Sequence, residues 1–314
     1  MAQKEYGHLV KPLSSGNPPL NLYAEPRTWM EGRDLEGFHA NFSFGFVKKP
    51  QVFHPPAGQT VHPYDECLVF AGTDNTNIKY LGAEVSVRLG IEQEEHVFDK
   101  PSLVVVPKGT PHGPVFVRRI DLPIVHFHVG LSATYSASQV GAIASPSSGQ
   151  RYAHLIKPMI THPESRPDEG GMGYGKVLGE DGVMRPAEGG VGPGNGDQIV
   201  WLYGNDLENF NLNFIWGFYS RCGKWHRRGE THVHPEEEIL CFVGLDPDRP
   251  NYLGAELEIG MGNDSERHMF NKPTVVVCPK GFPHLPLITR WVDKPYGFIA
   301  IALSGKHDSP WVEA

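Results

Sequence analysis

The strongest constraint on this chain is that most of it is written twice. Displacing the sequence by 172 positions sets Trp29 on Trp201, Asp34-Leu35-Glu36 on Asp206-Leu207-Glu208, and Asn41-Phe42 on Asn213-Phe214. Gly45-Phe46 falls on Gly217-Phe218, His54 on His226, His62-Pro63 on His234-Pro235, and Glu66 on Glu238. Tyr80-Leu81-Gly82-Ala83-Glu84 meets Tyr252-Leu253-Gly254-Ala255-Glu256, and Pro107-Lys108-Gly109 with Pro111-His112 meets Pro279-Lys280-Gly281 with Pro283-His284. The match runs over 29–131 against 201–303, with roughly four positions in ten identical, more than shared strand patterning produces. Whatever fold one copy adopts, the chain must build it twice.

A second match has a shorter displacement of 146, from Tyr6 to Tyr152. Tyr6-Gly7-His8-Leu9-Val10-Lys11-Pro12-Leu13 resembles Tyr152-Ala153-His154-Leu155-Ile156-Lys157-Pro158-Met159. Each half therefore opens with the same arm. The difference, 172 − 146 = 26 residues, is an insertion in the second half within 160–200. Its glycine-rich composition predicts a long irregular loop, either a surface connection or a pocket wall. The expected domains are 1–150 and 151–314, packed as a pseudo-dimer within one chain, with further self-association open.

Within a copy the pattern is that of strands. Segments 40–47, 66–71, 83–89, 103–106, 115–119 and 124–129 are short, β-branched or alternating, and bounded by turn residues. The counterparts of 40–47, 66–71, 103–106, 115–119 and 124–129 in the second copy are 210–219, 238–243, 274–278, 285–291 and 297–302. The 36 glycines and 28 prolines suit many turns. No segment carries a capped helical stripe, so each copy reads as an all-β sandwich or barrel.

Chemistry concentrates in Glu230-Thr231-His232-Val233-His234-Pro235-Glu236-Glu237-Glu238 and in Pro279-Lys280-Gly281-Phe282-Pro283-His284. His-x-His places two imidazoles on one face of a strand. Three imidazoles and a carboxylate suit a divalent transition metal and leave coordination positions open. Glu236 and Glu237 read as solvated turn residues or as acceptors for imidazole N–H groups.

The motif pair resembles the cupin superfamily: His-x-His, a short gap, Glu, then Gly, and later Pro-x-Gly-x-x-His. The second copy matches at His232, His234, Glu238, Gly244, Pro279, Gly281 and His284. It departs where Pro273 stands for the glycine that opens the second motif and Ile288 for its closing asparagine. With two copies the chain looks like a bicupin. The resemblance implies two tandem double-stranded β-helix (jelly-roll) barrels. It also implies a divalent metal on His232, His234, Glu238 and His284. Iron is expected, with Mn, Ni, Zn, Cu and Co as alternatives.

The first copy retains His62, Glu66 and His112 but lacks the first histidine. Either Thr60 replaces it or a one-residue slip deletes it. His126 and His128, on a late strand where the second copy has Phe298 and Ala300, are candidates to complete this second metal site if they face inward. Three further residues are candidates for substrate binding or catalysis. His226 precedes the metal strand and can serve as acid or base. Arg290 can clamp a carboxylate if it lines the barrel, or else lie on the outer face. Asn213 recurs as Asn41 in the first copy.

A formal charge of −8 argues against nucleic acid and anionic membranes as main partners. The four cysteines form no Cys-x-x-Cys pair, and Cys67, Cys241 and Cys278 read as buried thiols of a cytoplasmic protein. The expected activity is metal-dependent conversion of a small organic substrate, with non-haem dioxygenase chemistry leading. A redox-neutral decarboxylase, hydrolase or isomerase, and a non-catalytic metal or ligand binder, are the alternatives.

Overall fold

The computed structural model describes residues 4–16, 18, 22–23, 25–141, 147–159, 176–178, 184–186, 195–225, 231–307 and 311–312. Among these, structure is nearly all strand, with 3-10 turns such as Gly32–Asp34 and Gly204–Asp206. Among the described residues no helix is long and apolar enough to cross a membrane.

The chain divides into two compact units, residues 14–159 and residues 1–13 with 160–314. The first contains a seven-stranded sheet, in the order Ile156–Pro158, Ser102–Val106, Glu66–Gly72, Ile124–Gly130, Asn41–Val47, Arg27–Met30, Ser15–Gly16. Its companion sheet runs Ser138–Val140, Gln59–Val61, His112–Ile120, Ala83–Leu89, Glu94–Phe98, with Gln51–His54 added on His112–Ile120. The second unit repeats this plan. Its six-stranded sheet is Val10–Pro12, Thr274–Cys278, Glu238–Gly244, Tyr296–Ala302, Asn213–Tyr219, Gly196–Leu202, and its companion is Gly223–Lys224, His284–Val292, Ala255–Met261, Glu266–Phe270.

The apolar runs explain the layering. Glu66–Gly72 and Glu238–Gly244 are buried at every residue and lie mid-sheet, as unbroken hydrophobic strands must. Ala83–Leu89 turns Val85, Val87 and Leu89 inward while Glu84 and Arg88 stay partly exposed. Gly244 ends its strand where a Cβ would meet the Tyr252 carbonyl oxygen at 2.0 Å, and Gly72 meets Tyr80 in the same way.

The arms join the barrels in a manner the repeat pattern does not reveal. Val10–Pro12 pairs antiparallel with Thr274–Cys278, Val10 opposite Val276. Ile156–Pro158 pairs with Ser102–Val106, Ile156 opposite Val104. Each arm thus completes the sheet of the other half, so the compact units cross the expected boundary at 150/151. The clasp is the same in both. Glu266 accepts hydrogen bonds from the Glu5 and Tyr6 amides, and Glu94 from those of Arg151 and Tyr152. Each tyrosine ring fills the space a side chain would need at Gly262 or Gly90.

The expected irregular insertion also needs correcting in part. Lys176–Leu178 and Met184–Pro186 pair as an antiparallel hairpin, and Lys176–Leu178 runs parallel to Trp311–Val312. The segments 160–175, 179–183 and 187–194 lie outside the described residues.

Candidate metal centre

In the second unit, His232 and His284 form an isolated antiparallel bridge with backbone hydrogen bonds in both directions. His234 lies two residues on, and Glu238 opens the adjacent central strand. The Pro279–Gly281 corner, with Gly281 at φ +71, returns the chain so that His284 faces Glu238. The Gly281 amide donates to the His234 carbonyl and locks the two motifs together.

The four side chains converge. His232 Nε2 is 2.8 Å from His284 Nε2 and 3.2 Å from His234 Nε2. Glu238 Oε2 lies 3.2 Å from His234 Nε2 and 3.4 Å from His284 Nε2. A metal with ligands at about 2.1 Å sets neighbouring ligand atoms about 3 Å apart, so these spacings suit one ion. His284 Nδ1 donates to the Phe282 carbonyl, so Nε2 is the nitrogen that faces inward and would meet a metal. Glu238 Oε2 makes no well-formed hydrogen bond of its own. Such a buried carboxylate oxygen among imidazole nitrogens suits a cation. Burial pushes the Glu238 carboxyl up, but the His234 and His284 imidazoles outweigh it and hold it well below the usual carboxylate range. The donor set fits a divalent metal.

A cavity of about 60 Å3 adjoins the cluster. Among the described residues its walls are mostly apolar and aromatic, Trp201, Ile215, Tyr219, Trp225, Leu287 and Phe298 among them. Tyr219 stacks on Trp225 at 3.8 Å, and Phe298 meets Trp225 edge-on at 4.5 Å. Thr289 Oγ1 fixes this wall: the Trp225 indole and the Asn195 amide donate to it, and it shares a hydrogen bond with the Tyr296 hydroxyl.

The remaining candidates divide. Asn213 is buried and does not line the cavity. Its amide donates to the Ser304 and Lys306 carbonyls, and its Oδ1 accepts from the Trp201 indole. It pins the turn that carries His307. Arg290 lies on the outer face, paired with Glu258 at 2.8 Å, and faces away from the cavity because its position alternates outward along His284–Val292. His226 lies outside the described residues.

His307 is the residue that motif reading missed. It lines the cavity, with its ring 4.9 Å from His234 and 4.5 Å from Trp201. Glu236, expected on a solvated turn or accepting from an imidazole, is buried and within ligand reach of His234 and His307. A signal for His307 existed. Continuing the repeat past 303 pairs it with Tyr135, and Tyr135 packs against Trp29 and His62 as His307 does against Trp201 and His234.

In the first unit, His62, Glu66 and His112 also converge. Glu66 Oε2 is 3.0 Å from His112 Nε2 and 3.5 Å from His62 Nε2, and none of these atoms makes a well-formed hydrogen bond. His62 Nδ1 donates to the Ser136 carbonyl. Thr60 pairs with His112 as His232 does with His284, so the lost imidazole is a replacement by Thr60 and not a slip. His126 and His128 both face inward and are fully buried. His126 stands apart from the triad, its Nδ1 donating to the Val69 carbonyl. His128 Nδ1 lies 4.0 Å from Glu66 Oε1.

No protein-family model and no curated protein sequence matches the chain. Solved structures do. Oxalate decarboxylase from Bacillus subtilis at pH 4.6 aligns over 96% of this chain and 78% of its own, at 11% identity and TM-score 0.56. A deletion mutant of the same enzyme aligns over the same shares at 12% identity and TM-score 0.56. So does an oxalate decarboxylase structure describing substrate binding mode and a reaction-specificity switch, at 11% identity and the same TM-score. At such identity the likeness concerns the fold, and by it the chain has the fold of a bicupin: two tandem double-stranded β-helix barrels.

Proposed function

We propose that the second barrel is a metal-dependent active site for a small, mostly apolar or aromatic substrate, and that it catalyses oxygenation of the non-haem dioxygenase type. The observation that carries this is the cavity itself: the aromatic walls Trp201, Tyr219, Trp225 and Phe298 beside His232, His234, Glu238 and His284. Such a pocket desolvates a ring or alkyl chain and suits a metal that would hold substrate oxygens. His232, His234, Glu238 and His284 would hold the metal, with iron the first choice because the chemistry needs a redox-active ion. When bound, it would supply a coordination site for substrate oxygens and a redox partner for O2. The chain contributes the rest. Trp225, Tyr219 and Phe298 orient the substrate and exclude water, and His307, beside His234, can hold or pass a proton at a substrate oxygen. The protein's unpaired cysteines suit the cytoplasm as the setting.

A redox-neutral decarboxylation is the second reading, favoured by the structural likeness to oxalate decarboxylase. The aromatic wall suits an apolar monocarboxylate under this reading. The test is oxygen uptake by iron-loaded protein with a panel of aromatic diols, enols and apolar carboxylic acids. Substrate-dependent O2 consumption that disappears in His234→Ala supports oxygenation. Turnover with CO2 release under anaerobic conditions overturns it in favour of decarboxylation.

A further inference from the structure

The two barrels treat the space beside their clusters differently. In the second, Ile215, Trp225, Phe298 and Ala300 are cavity wall. The same positions in the first are Ser43, Phe53, His126 and His128, and one side chain, Tyr23, reaches all of this region. Its hydroxyl is 3.0 Å from His128 Nδ1 and 3.4 Å from His126 Nε2. Its ring stacks on His54 at 4.4 Å and lies 6.2 Å from Phe53, centre to centre. The Arg27 guanidinium covers it at 3.8 Å and donates to the His126 carbonyl.

The network around Tyr23 has a definite polarity. His128 Nε2 donates to Asn41 Oδ1 at 2.9 Å, so its Nδ1 turns one lone pair toward the Tyr23 and Ser43 hydroxyls, 3.0 and 3.2 Å away. That Nδ1 sits 4.0 Å from Glu66. The His128 imidazole therefore stands beside the carboxylate of the cluster, and the Tyr23 phenol is hydrogen-bonded to that imidazole. In the second barrel the position of Tyr23 is Asn195, whose short side chain turns to Thr289 and the Arg221 carbonyl and leaves the cavity clear.

We propose that Tyr23 is a built-in plug: it closes the first barrel, so that a divalent metal on His62, Glu66 and His112 is a structural ion screened from exogenous ligands. A site that keeps three protein ligands but loses its access path can stabilise the barrel without turning over substrate. This inference concerns the first barrel and is independent of the reaction assigned to the second.

The test uses cobalt(II) as a visible probe and azide as the exogenous ligand. The double variant His232→Ala/His284→Ala removes the second site and leaves the first. Elemental analysis is expected to find one cobalt per chain, with a visible spectrum that azide does not change. The reciprocal variant His62→Ala/His112→Ala leaves the second site, whose spectrum azide is expected to shift. Adding Tyr23→Ala to the first variant is expected to make its cobalt respond to azide, whereas Tyr23→Phe, which keeps the ring, stays closed. Lack of cobalt in the first site overturns the proposal, as does an azide shift with Tyr23 in place. A folded, cobalt-loaded Tyr23→Ala protein that ignores azide overturns it as well.

Discussion

His232 and His284 face each other across a single antiparallel bridge, their Nε2 atoms 2.8 Å apart. The same bridge in the first barrel joins Thr60 to His112. One residue thus separates a four-ligand cluster from a three-ligand one, on backbones that are otherwise in register.

Removing a ligand from the complete cluster has a definite expected result. His284→Ala is expected to lower metal affinity of the second barrel by at least about 100-fold, since changes merely beside a metal ligand already cost about 10- to 100-fold. Elemental analysis after dialysis checks this, and undiminished metal content in the second barrel would refute it.

Metal uptake should depend on pH. Burial pushes the His284 imidazole down, but the Cys278 sulfur and the Glu238 carboxylate raise it to about 9 in the metal-free protein. A metal must then displace a proton, so affinity is expected to rise about tenfold per pH unit up to about pH 9. The sign for stability is opposite. A raised imidazole stabilises the metal-free fold fully below its ordinary value of 6.5, and that contribution is lost as pH climbs through about 9. Calorimetry of metal binding in buffers of different protonation enthalpy measures the released proton. Melting of the metal-free protein between these pH values measures the second effect.

Asn213→Ala strips two carbonyls and the Trp201 indole of their buried partner. The expected loss is about 1–3 kcal/mol, with KM raised because the turn carrying His307 loosens. Chemical denaturation and steady-state kinetics together check it. A normal KM in a destabilised protein would confine Asn213 to folding.

The arm clasp predicts a local effect. Glu94→Ala leaves the Arg151 and Tyr152 amides without their acceptor and His96 without its 2.9 Å carboxylate contact. Hydrogen exchange over 151–159 is expected to accelerate well before exchange in Glu66–Gly72, because the arm strand has one pairing edge and few contacts.

Arg290→Ala tests the exterior assignment. Arg290 is partly exposed, and the buried Glu258 keeps Arg267 at 3.5 Å as a second partner, so a loss of about 1 kcal/mol and unchanged kinetics are expected. A large fall in kcat would place Arg290 in the reaction after all.

Much of this molecule is legible in one dimension. A duplication, period-two patterning and ligand spacing are all local or self-referential, so the chain by itself determined two all-β barrels and the clusters His232, His234, Glu238, His284 and His62, Glu66, His112. The replaced ligand, Thr60, was one of two alignments that the backbone pairing separated. Tertiary structure decided what depends on contacts between distant segments. It sent each arm to the other half's sheet, because strand edges at Thr274–Cys278 and Ser102–Val106 offer hydrogen bonds that no periodicity records. It turned Arg290 out and brought His307 in, since which face of a strand or turn meets the core depends on register and closure. It also left one cluster beside an aromatic cavity and set His128, bonded to Tyr23, beside the other.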